Sequence, residues 1–180
     1  TWCLYDRQLL DDELYEQFES FPEGVRIVVV SDSCHSGTIT KAAGAIDFSE
    51  ALSEGMARAA STRGYRSRKL PADVTGYVNG LYGDSVYKPL QKKYRTKKQA
   101  AGVKASVLLL AACQDNQETL DGENNGIFTE SFISLFKKAE YLKASGEELI
   151  KAVGKQYFFP KPNLFRYGSI IESFDKSFPF

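Results

Sequence analysis

Two continuous apolar runs dominate the pattern of hydrophobic and polar positions along the chain. The first, Val-Arg-Ile-Val-Val-Val, spans residues 25–30, and the second, Ala-Ser-Val-Leu-Leu-Leu-Ala-Ala, spans residues 105–112. Apolar runs of this length are typical of strands that are covered on both faces of a parallel sheet. The pattern therefore predicts two buried strands.

Helical periodicity surrounds these two strands. Residues 11–20 predict a short amphipathic helix that ends at Phe-Pro-Glu-Gly. Residues 128–142 and 147–153 predict two further helices, and residues 166–174 predict a last strand. Strands that alternate with helices indicate an α/β fold.

Composition and charge exclude several classes of function. The 180 residues suffice for one domain, and the chain is 43% hydrophobic, which argues against disorder. Lys plus Arg and Asp plus Glu both number 23, so net charge gives no argument for binding nucleic acid or an anionic membrane. No apolar run is long enough to cross a bilayer, and the first residues lack the pattern of a signal peptide.

The three cysteines are widely spaced, which opposes a disulfide framework or a zinc site. We therefore expect a cytoplasmic protein.

Both predicted strands end at a cysteine close to an aspartate. Ser-Asp-Ser-Cys-His-Ser-Gly follows the first strand at residues 31–37, and Cys-Gln-Asp-Asn-Gln follows the second at residues 113–117. Functional groups in open α/β sheets gather at the carboxyl ends of the strands. A cysteine at a strand end is also often a small buried residue and nothing more. Position alone therefore leaves both interpretations open for Cys34.

The motif at residues 31–37, directly after a strand, resembles the nucleophile motif of metacaspases, paracaspases and bacterial orthocaspases. Leu-Leu-Asp-Asp-Glu-Leu at residues 9–14 and Gly-Ile-Phe-Thr at residues 126–129 resemble helix starts of the same caspase-like family. The resemblance covers most of the chain and is weakest between residues 38 and 102. It implies a caspase-like α/β/α sandwich with a mostly parallel sheet, of which residues 1–180 form the C-terminal two-thirds.

The resemblance implies that Cys34 is the nucleophile of a cysteine endopeptidase, which works by thiolate attack and an acyl-enzyme. An ordinary thiol is mostly protonated at neutral pH, so the enzyme needs a histidine beside it. His35 is the only histidine of the chain. Adjacent side chains at a strand end diverge, and the resemblance implies a structural role for His35. We therefore expect an N-terminal segment upstream of Thr1 to pack beside residues 25–30 and supply the catalytic histidine.

The resemblance implies that two aspartates recognise the substrate. Asp32 lies two residues before Cys34, so the two side chains point the same way on a strand. The resemblance implies that Asp32 lines the specificity pocket and binds an arginine or lysine of the substrate before the scissile bond. It implies that Asp115 is a second acid of the same pocket. A loop aspartate that accepts hydrogen bonds from backbone amides is the alternative for Asp32, and a surface or capping role is the alternative for Asp115.

Calcium is a common cofactor of the family. Asp11 and Asp12 resemble two of its ligands, although a helix cap explains them equally well. A further acidic ligand is expected seven residues after the nucleophile, where this sequence has Lys41. A cation at that place opposes calcium, which needs several oxygen ligands. We therefore expect no cofactor and no metal.

We interpret residues 41–102 as a connecting region, with a helical pattern over residues 85–98. Its basic residues form two clusters, at residues 58–69 and 92–98, and a solvated surface is the simplest interpretation of each. Related enzymes often cut themselves in this connection. The candidate processing sites are Arg58, Arg63, Arg66, Arg68 and Lys69.

Two other functions stay open. The missing histidine favours a catalytically silent caspase-like scaffold or partner-binding domain, while the intact Asp32 and Cys34 oppose it. A flavodoxin-like binding module is the second rival, but no glycine-rich phosphate loop follows either strand.

Overall fold

The computed structural model describes residues 2–33, 66–67, 72–94, 102–113, 120–121, 125–157 and 160–180. The strands are β1 Trp2–Cys3, β2 Gln8–Leu9, β3 Arg26–Ser31, β4 Arg66–Ser67, β5 Ser106–Ala111, β6 Leu120–Asp121 and β7 Asn163–Gly168. The helices are α1 Asp11–Glu19, α2 Ala72–Tyr82, α3 Lys88–Tyr94, α4 Ile127–Phe136, α5 Gly146–Gly154 and α6 Glu172–Asp175. A π-helical turn, Gly83–Tyr87, joins α2 to α3, and a 3₁₀ turn, Ala139–Lys143, follows α4.

The central sheet has the order β3-β5-β7. Strands β3 and β5 run parallel with Val28 opposite Leu108, whereas β7 runs antiparallel to β5 with Arg166 opposite Leu108. Every residue of β5 is buried because this strand has a neighbour on both sides. The carboxyl ends of β3 and β5 lie at the same edge of the sheet, since parallel strands share their direction.

Helices cover both faces of this sheet. On one face, Tyr15 of α1 packs with Val107 of β5, and Ile27 and Val29 of β3 border the cluster. On the other face, Leu108 and Leu110 of β5 pack against α4 and α5. The alternation of side chains along β5 explains how one strand supplies both cores. The result is a three-layer α/β/α arrangement.

The structure confirms both strands, the first helix and the helix at residues 147–153. Burial was predicted for both strands but holds only for β5, because β3 is at the edge of the described sheet and its apolar side chains are half-buried or exposed. The helix expected over residues 128–142 is shorter, because Lys138 is extended and the chain continues as a 3₁₀ turn. The last strand was expected over residues 166–174, which is too close to the C-terminus. It covers Asn163–Gly168, and Gly168 ends it with φ +73°, where a Cβ atom would lie 2.0 Å from the Ala105 carbonyl oxygen.

Part of the connecting region is helical and packs against α1 and β2. The Tyr94 hydroxyl donates to the Glu16 carboxylate at 2.5 Å, and Lys93 forms an ion pair with the same carboxylate at 2.7 Å. The backbone N–H of Gln8 donates to the Tyr87 hydroxyl at 2.9 Å. The helical pattern over residues 85–98 corresponds to the end of the π-helical turn and to α3, whereas α2 was not predicted. The segment is anchored to the N-terminal part of the chain by these contacts. Among the described residues, no helix has the length and apolar character needed to cross a bilayer.

Candidate active site

The carboxyl ends of β3 and β5 bring Asp32 and Cys113 together. Ser31 lies opposite Ala111 in the parallel ladder, and the Ala112 N–H donates to the Ser31 carbonyl at 2.8 Å, so the register continues past the strands. The Cys113 thiol is buried and donates to the Ser33 carbonyl at 3.6 Å. The Ser33 carbonyl, directly before Cys34 in the sequence, is therefore in contact with the residues that follow β5.

The start of α4 holds the Asp32 carboxylate. Oδ2 of Asp32 accepts hydrogen bonds from the Thr129 backbone N–H at 3.2 Å and from the Thr129 hydroxyl at 2.5 Å. The Thr129 N–H belongs to the first turn of α4, where backbone donors have no partner within the helix. The positive end of the helix dipole also favours a carboxylate at this point. Asp32 thus acts as a tertiary cap that joins β3 to α4.

Gly126 permits this approach of Asp32 to the helix. A Cβ atom built at Gly126 would lie 2.0 Å from Oδ2 of Asp32, much closer than any real contact. Only a residue without a side chain therefore fits between the carboxylate and the start of α4. Gly-Ile-Phe-Thr at residues 126–129 resembled a helix start, but this pattern did not indicate a contact with Asp32.

Tyr157 is a further member of the site that the sequence did not indicate. Its hydroxyl is buried and makes no hydrogen bond to the residues that the structure describes. Burial raises the pKa of this hydroxyl, and the nearby Asp32 and Cys113 raise it further. Tyr157 is therefore protonated at neutral pH and offers a hydrogen-bond donor beside Asp32. No spacing along the chain connects position 157 to position 32, which explains why it was missed.

The caspase domain family matches residues 3–157. This chain belongs to that family. Relatives include Metacaspase-1 of Candida glabrata, 27% identical over 142 residues, and Metacaspase-1 of Mycosarcoma maydis, 26% identical over 155 residues. The match covers 72% of this chain and 36% of the first relative, and 81% of this chain and 38% of the second. The chain therefore spans less than half of the length of these relatives.

A solved structure also resembles the chain. The crystal structure of protein GSU0716 from Geobacter sulfurreducens aligns with a TM-score of 0.74 and 37% identity, over 100% of this chain and 61% of that one. The predicted resemblance to caspase-like proteins of the metacaspase type is confirmed by these relatives, and the predicted caspase-like α/β fold is confirmed by the match to the family and to this structure. The sheet is mixed, since β7 runs antiparallel to β5.

Within this caspase-domain chain, several predicted residues lie outside the described part. They are Cys34, His35, Lys41, Arg58, Arg63, Arg68, Lys69 and Asp115. Of the candidate processing sites, only Arg66 is described, and its backbone pairs with Asp121 in a short antiparallel ladder.

Asp11 and Asp12, the two possible calcium ligands, lie in the first turn of α1. The Glu19 side chain, at the other end of this helix, approaches Gly102 just before β5 begins. Asp11 and Asp12 thus lie at the opposite end of α1 from this contact. The N-cap residue is Leu10, whose N–H donates to the Glu13 carboxylate at 3.0 Å, so the predicted cap at Asp11 or Asp12 was misplaced. A ligand role of the two aspartates and the absence of a cofactor both stay predictions.

Proposed function

We propose that this chain is part of a cysteine endopeptidase that cleaves proteins after arginine or lysine, with Cys34 as the nucleophile. The observation that carries the proposal is the position of Asp32 in a caspase-domain chain. Its carboxylate lies at the carboxyl end of β3, fixed by Thr129, two residues before Cys34. An acid held there by a helix is well placed to meet a cationic side chain of a bound substrate.

Asp32 is proposed to bind the basic residue before the scissile bond. A carboxylate offers about four acceptor positions, so hydrogen bonds from Thr129 are compatible with a guanidinium or ammonium partner. The planar fork of arginine matches a carboxylate especially well. Asp115 is proposed as a second acid of the same pocket, because it follows the adjacent strand β5 by four residues.

Cys34 is proposed to attack the substrate carbonyl as a thiolate and to form an acyl-enzyme, which water then hydrolyses. A histidine must take the thiol proton and return it to the leaving amine. The backbone N–H of Cys34 would donate to the developing oxyanion. His35 is the only histidine of the chain, so we assign the catalytic histidine to an upstream segment of the same protease.

The open side of β3 supports this assignment. Among the described strands, β3 pairs only with β5, and its other edge carries no partner. Val30, near the carboxyl end of β3, is 43% exposed. An edge strand with unpaired backbone groups and an exposed valine favours the addition of another strand. We propose that the upstream segment packs there and brings its histidine toward Cys34.

The test is labelling of the complete protein with an acyloxymethyl ketone that carries arginine. The proposal expects covalent modification at Cys34, with a matched norleucine reagent reacting much more slowly. Asp32→Asn keeps the shape of the pocket and removes its charge. It should lower cleavage after arginine by about tenfold to a hundredfold, since a charge-assisted hydrogen bond contributes about 1.5–3 kcal/mol.

The alternative function, a catalytically silent scaffold, predicts a different result from the same reagents. No labelling of Cys34 by either ketone, in the presence of the upstream segment, supports the scaffold. An Asp32→Asn variant that keeps an unchanged preference for arginine would assign specificity to another residue.

A further inference from the structure

The Tyr157 hydroxyl is a buried polar group that the packing of the core does not explain. It is enclosed by protein and makes no hydrogen bond to any residue that the structure describes. The side chain packs against the core that β5 forms with α4 and α5. A buried donor without an acceptor is uncommon in folded proteins because it destabilises them, so this hydroxyl indicates a role beyond packing.

Hydrogen bonds to α4 fix the chain directly before Tyr157. The side-chain amide of Gln156 donates to the Ser131 carbonyl at 3.3 Å. The same side chain accepts a hydrogen bond from the Ser134 hydroxyl at 3.1 Å. Position 157 is therefore tied to the helix that also holds Asp32.

α4 thus brings Tyr157 and Asp32 to one place. The first turn of the helix binds the Asp32 carboxylate through Thr129, whose backbone N–H and hydroxyl both donate to Oδ2. Burial raises the pKa of the Tyr157 hydroxyl, and Asp32 and Cys113 lie close enough to raise it further. The hydroxyl therefore stays protonated at neutral pH, next to a carboxylate that accepts hydrogen bonds.

Of the two groups beside Tyr157, the Asp32 carboxylate is the stronger acceptor. A carboxylate offers about four acceptor positions, so the bonds from Thr129 are compatible with a further donor. A thiol is only a weak acceptor, and the Cys113 thiol donates to the Ser33 carbonyl at 3.6 Å. A hydroxyl that donates to a carboxylate favours its charged form and restrains its orientation.

We propose that Tyr157 is a positioning residue that acts on the substrate through Asp32. Its hydroxyl donates to the Asp32 carboxylate, directly or through one bridging water, and keeps that carboxylate charged and oriented toward the basic side chain of the substrate. Asp32 is then restrained from two elements, by Thr129 of α4 and by Tyr157 of the chain that follows α5. This inference rests on the proposed function for the charge of the substrate.

The test compares a fluorogenic peptide that ends in arginine with the matched peptide that ends in citrulline, the neutral isostere of arginine. The complete protein should prefer arginine, because only arginine brings a positive charge to Asp32. Tyr157→Phe removes one oxygen atom and keeps the ring. It should lower the ratio of the two kcat/KM values by about threefold or more, through a higher KM for the arginine peptide. A mere loss of packing would lower both kcat/KM values equally and leave their ratio unchanged.

A double-mutant cycle shows whether Tyr157 acts through Asp32. In an Asp32→Asn background, Tyr157→Phe should change the ratio by less than about twofold, because the charge that the hydroxyl supports is already absent. The matched control is Tyr167→Phe, which removes a buried hydroxyl from β7 opposite Val107, near the amino end of β5. This control should keep the ratio of the parent. An unchanged ratio in Tyr157→Phe, or an equal effect of Tyr157→Phe in both backgrounds, overturns the proposal.

Denaturant unfolding of the same four proteins of the cycle supplies a measurement that needs no catalysis. Tyr157→Phe should raise the equilibrium constant of unfolding by about threefold or more in the parent, and by less than about twofold in the Asp32→Asn protein. A Tyr157→Phe protein that is more stable than the parent would show that the hydroxyl has no acceptor, and would overturn the proposal.

The two measurements separate this inference from the proposed function. If unfolding shows the coupling but the complete protein hydrolyses neither peptide, the contact between Tyr157 and Asp32 stands and the peptidase assignment fails. If the parent prefers arginine but neither measurement shows the coupling, the peptidase stands and the role of Tyr157 fails.

Discussion

Strands β3 and β5 are parallel neighbours of six residues each, yet their carboxyl ends differ in what they can do. β5 lies between two strands and is buried throughout, and Cys113 after it is 0% exposed. β3 has one partner among the described strands, and Val30 near its end is 43% exposed. The two sequences are similar apolar runs followed by a cysteine. Position in the sheet therefore makes the end of β3 the more open of the two strand ends.

The ends of β3 and β5 also differ in the charge that they carry. The end of β3 carries Asp32, whose carboxylate is stabilised by the first turn of α4. The end of β5 carries the Cys113 thiol, a weakly polar group that packs against the Ser33 carbonyl. A buried thiol of this kind behaves as a small apolar residue, and its reactivity is low. We therefore expect chemistry at the end of the edge strand and packing at the end of the central strand.

The largest expected effect on activity comes from replacing each of the two cysteines by alanine in turn. In the complete protein, Cys34→Ala should abolish hydrolysis of arginine-ended fluorogenic peptides, since loss of one member of a catalytic set typically costs several orders of magnitude. Cys113→Ala should leave most of the activity, because its thiol is enclosed by protein. Normal turnover by Cys34→Ala, or a comparable loss in Cys113→Ala, would break the comparison between the two strand ends.

A second prediction concerns stability and uses the same substitution on both strands. Val107 of β5 is 0% exposed, whereas Val30 of β3 is 43% exposed. Val107→Ala should lower the free energy of unfolding by about 2 kcal/mol, from the loss of buried methyl groups and the cavity that remains. Val30→Ala should cost less than about 1 kcal/mol. Denaturant unfolding of both variants measures the difference. Equal costs in the complete protein would show that the proposed upstream segment buries Val30.

A third prediction tests the contact between α4 and Asp32. Gly126→Ala introduces a Cβ atom that must displace the Asp32 carboxylate, so kcat/KM for an arginine peptide should fall by about tenfold, or about 1.4 kcal/mol. Gly146→Ala is a matched control at the start of α5, since a Cβ atom there meets only Leu164 and Leu108, at 3.6 Å or more. The control should stay within about twofold of the parent by the same energy scale. Equal activity of the two variants would contradict the assigned role of Gly126.

The sequence predicted the elements that depend on local pattern. The runs at residues 25–30 and 105–112 predicted the α/β fold. The resemblance of the motif after the first run to caspase-like proteins implied the caspase-like fold and made Asp32 a candidate site residue. The contacts of Gly126, Thr129 and Tyr157 with this site were missed, because each depends on how α4 and the chain after α5 pack against the sheet. The last strand, predicted over residues 166–174, was placed too late, since it covers Asn163–Gly168.

The smallest expected effect comes from Thr129, a positioning residue that acts through Asp32. Thr129→Val removes the hydroxyl that donates to Asp32 at 2.5 Å and keeps the backbone N–H that donates at 3.2 Å. One hydrogen bond contributes about 0.5–1.5 kcal/mol, so KM for an arginine peptide should rise by about twofold to tenfold, with kcat nearly unchanged. Thr129→Ser restores the hydroxyl and should restore KM. A purely structural role would instead lower the thermal midpoint in both variants without separating KM from kcat. If Thr129→Val leaves KM unchanged, the helix dipole and the backbone N–H of α4 alone suffice to hold Asp32 at the end of β3.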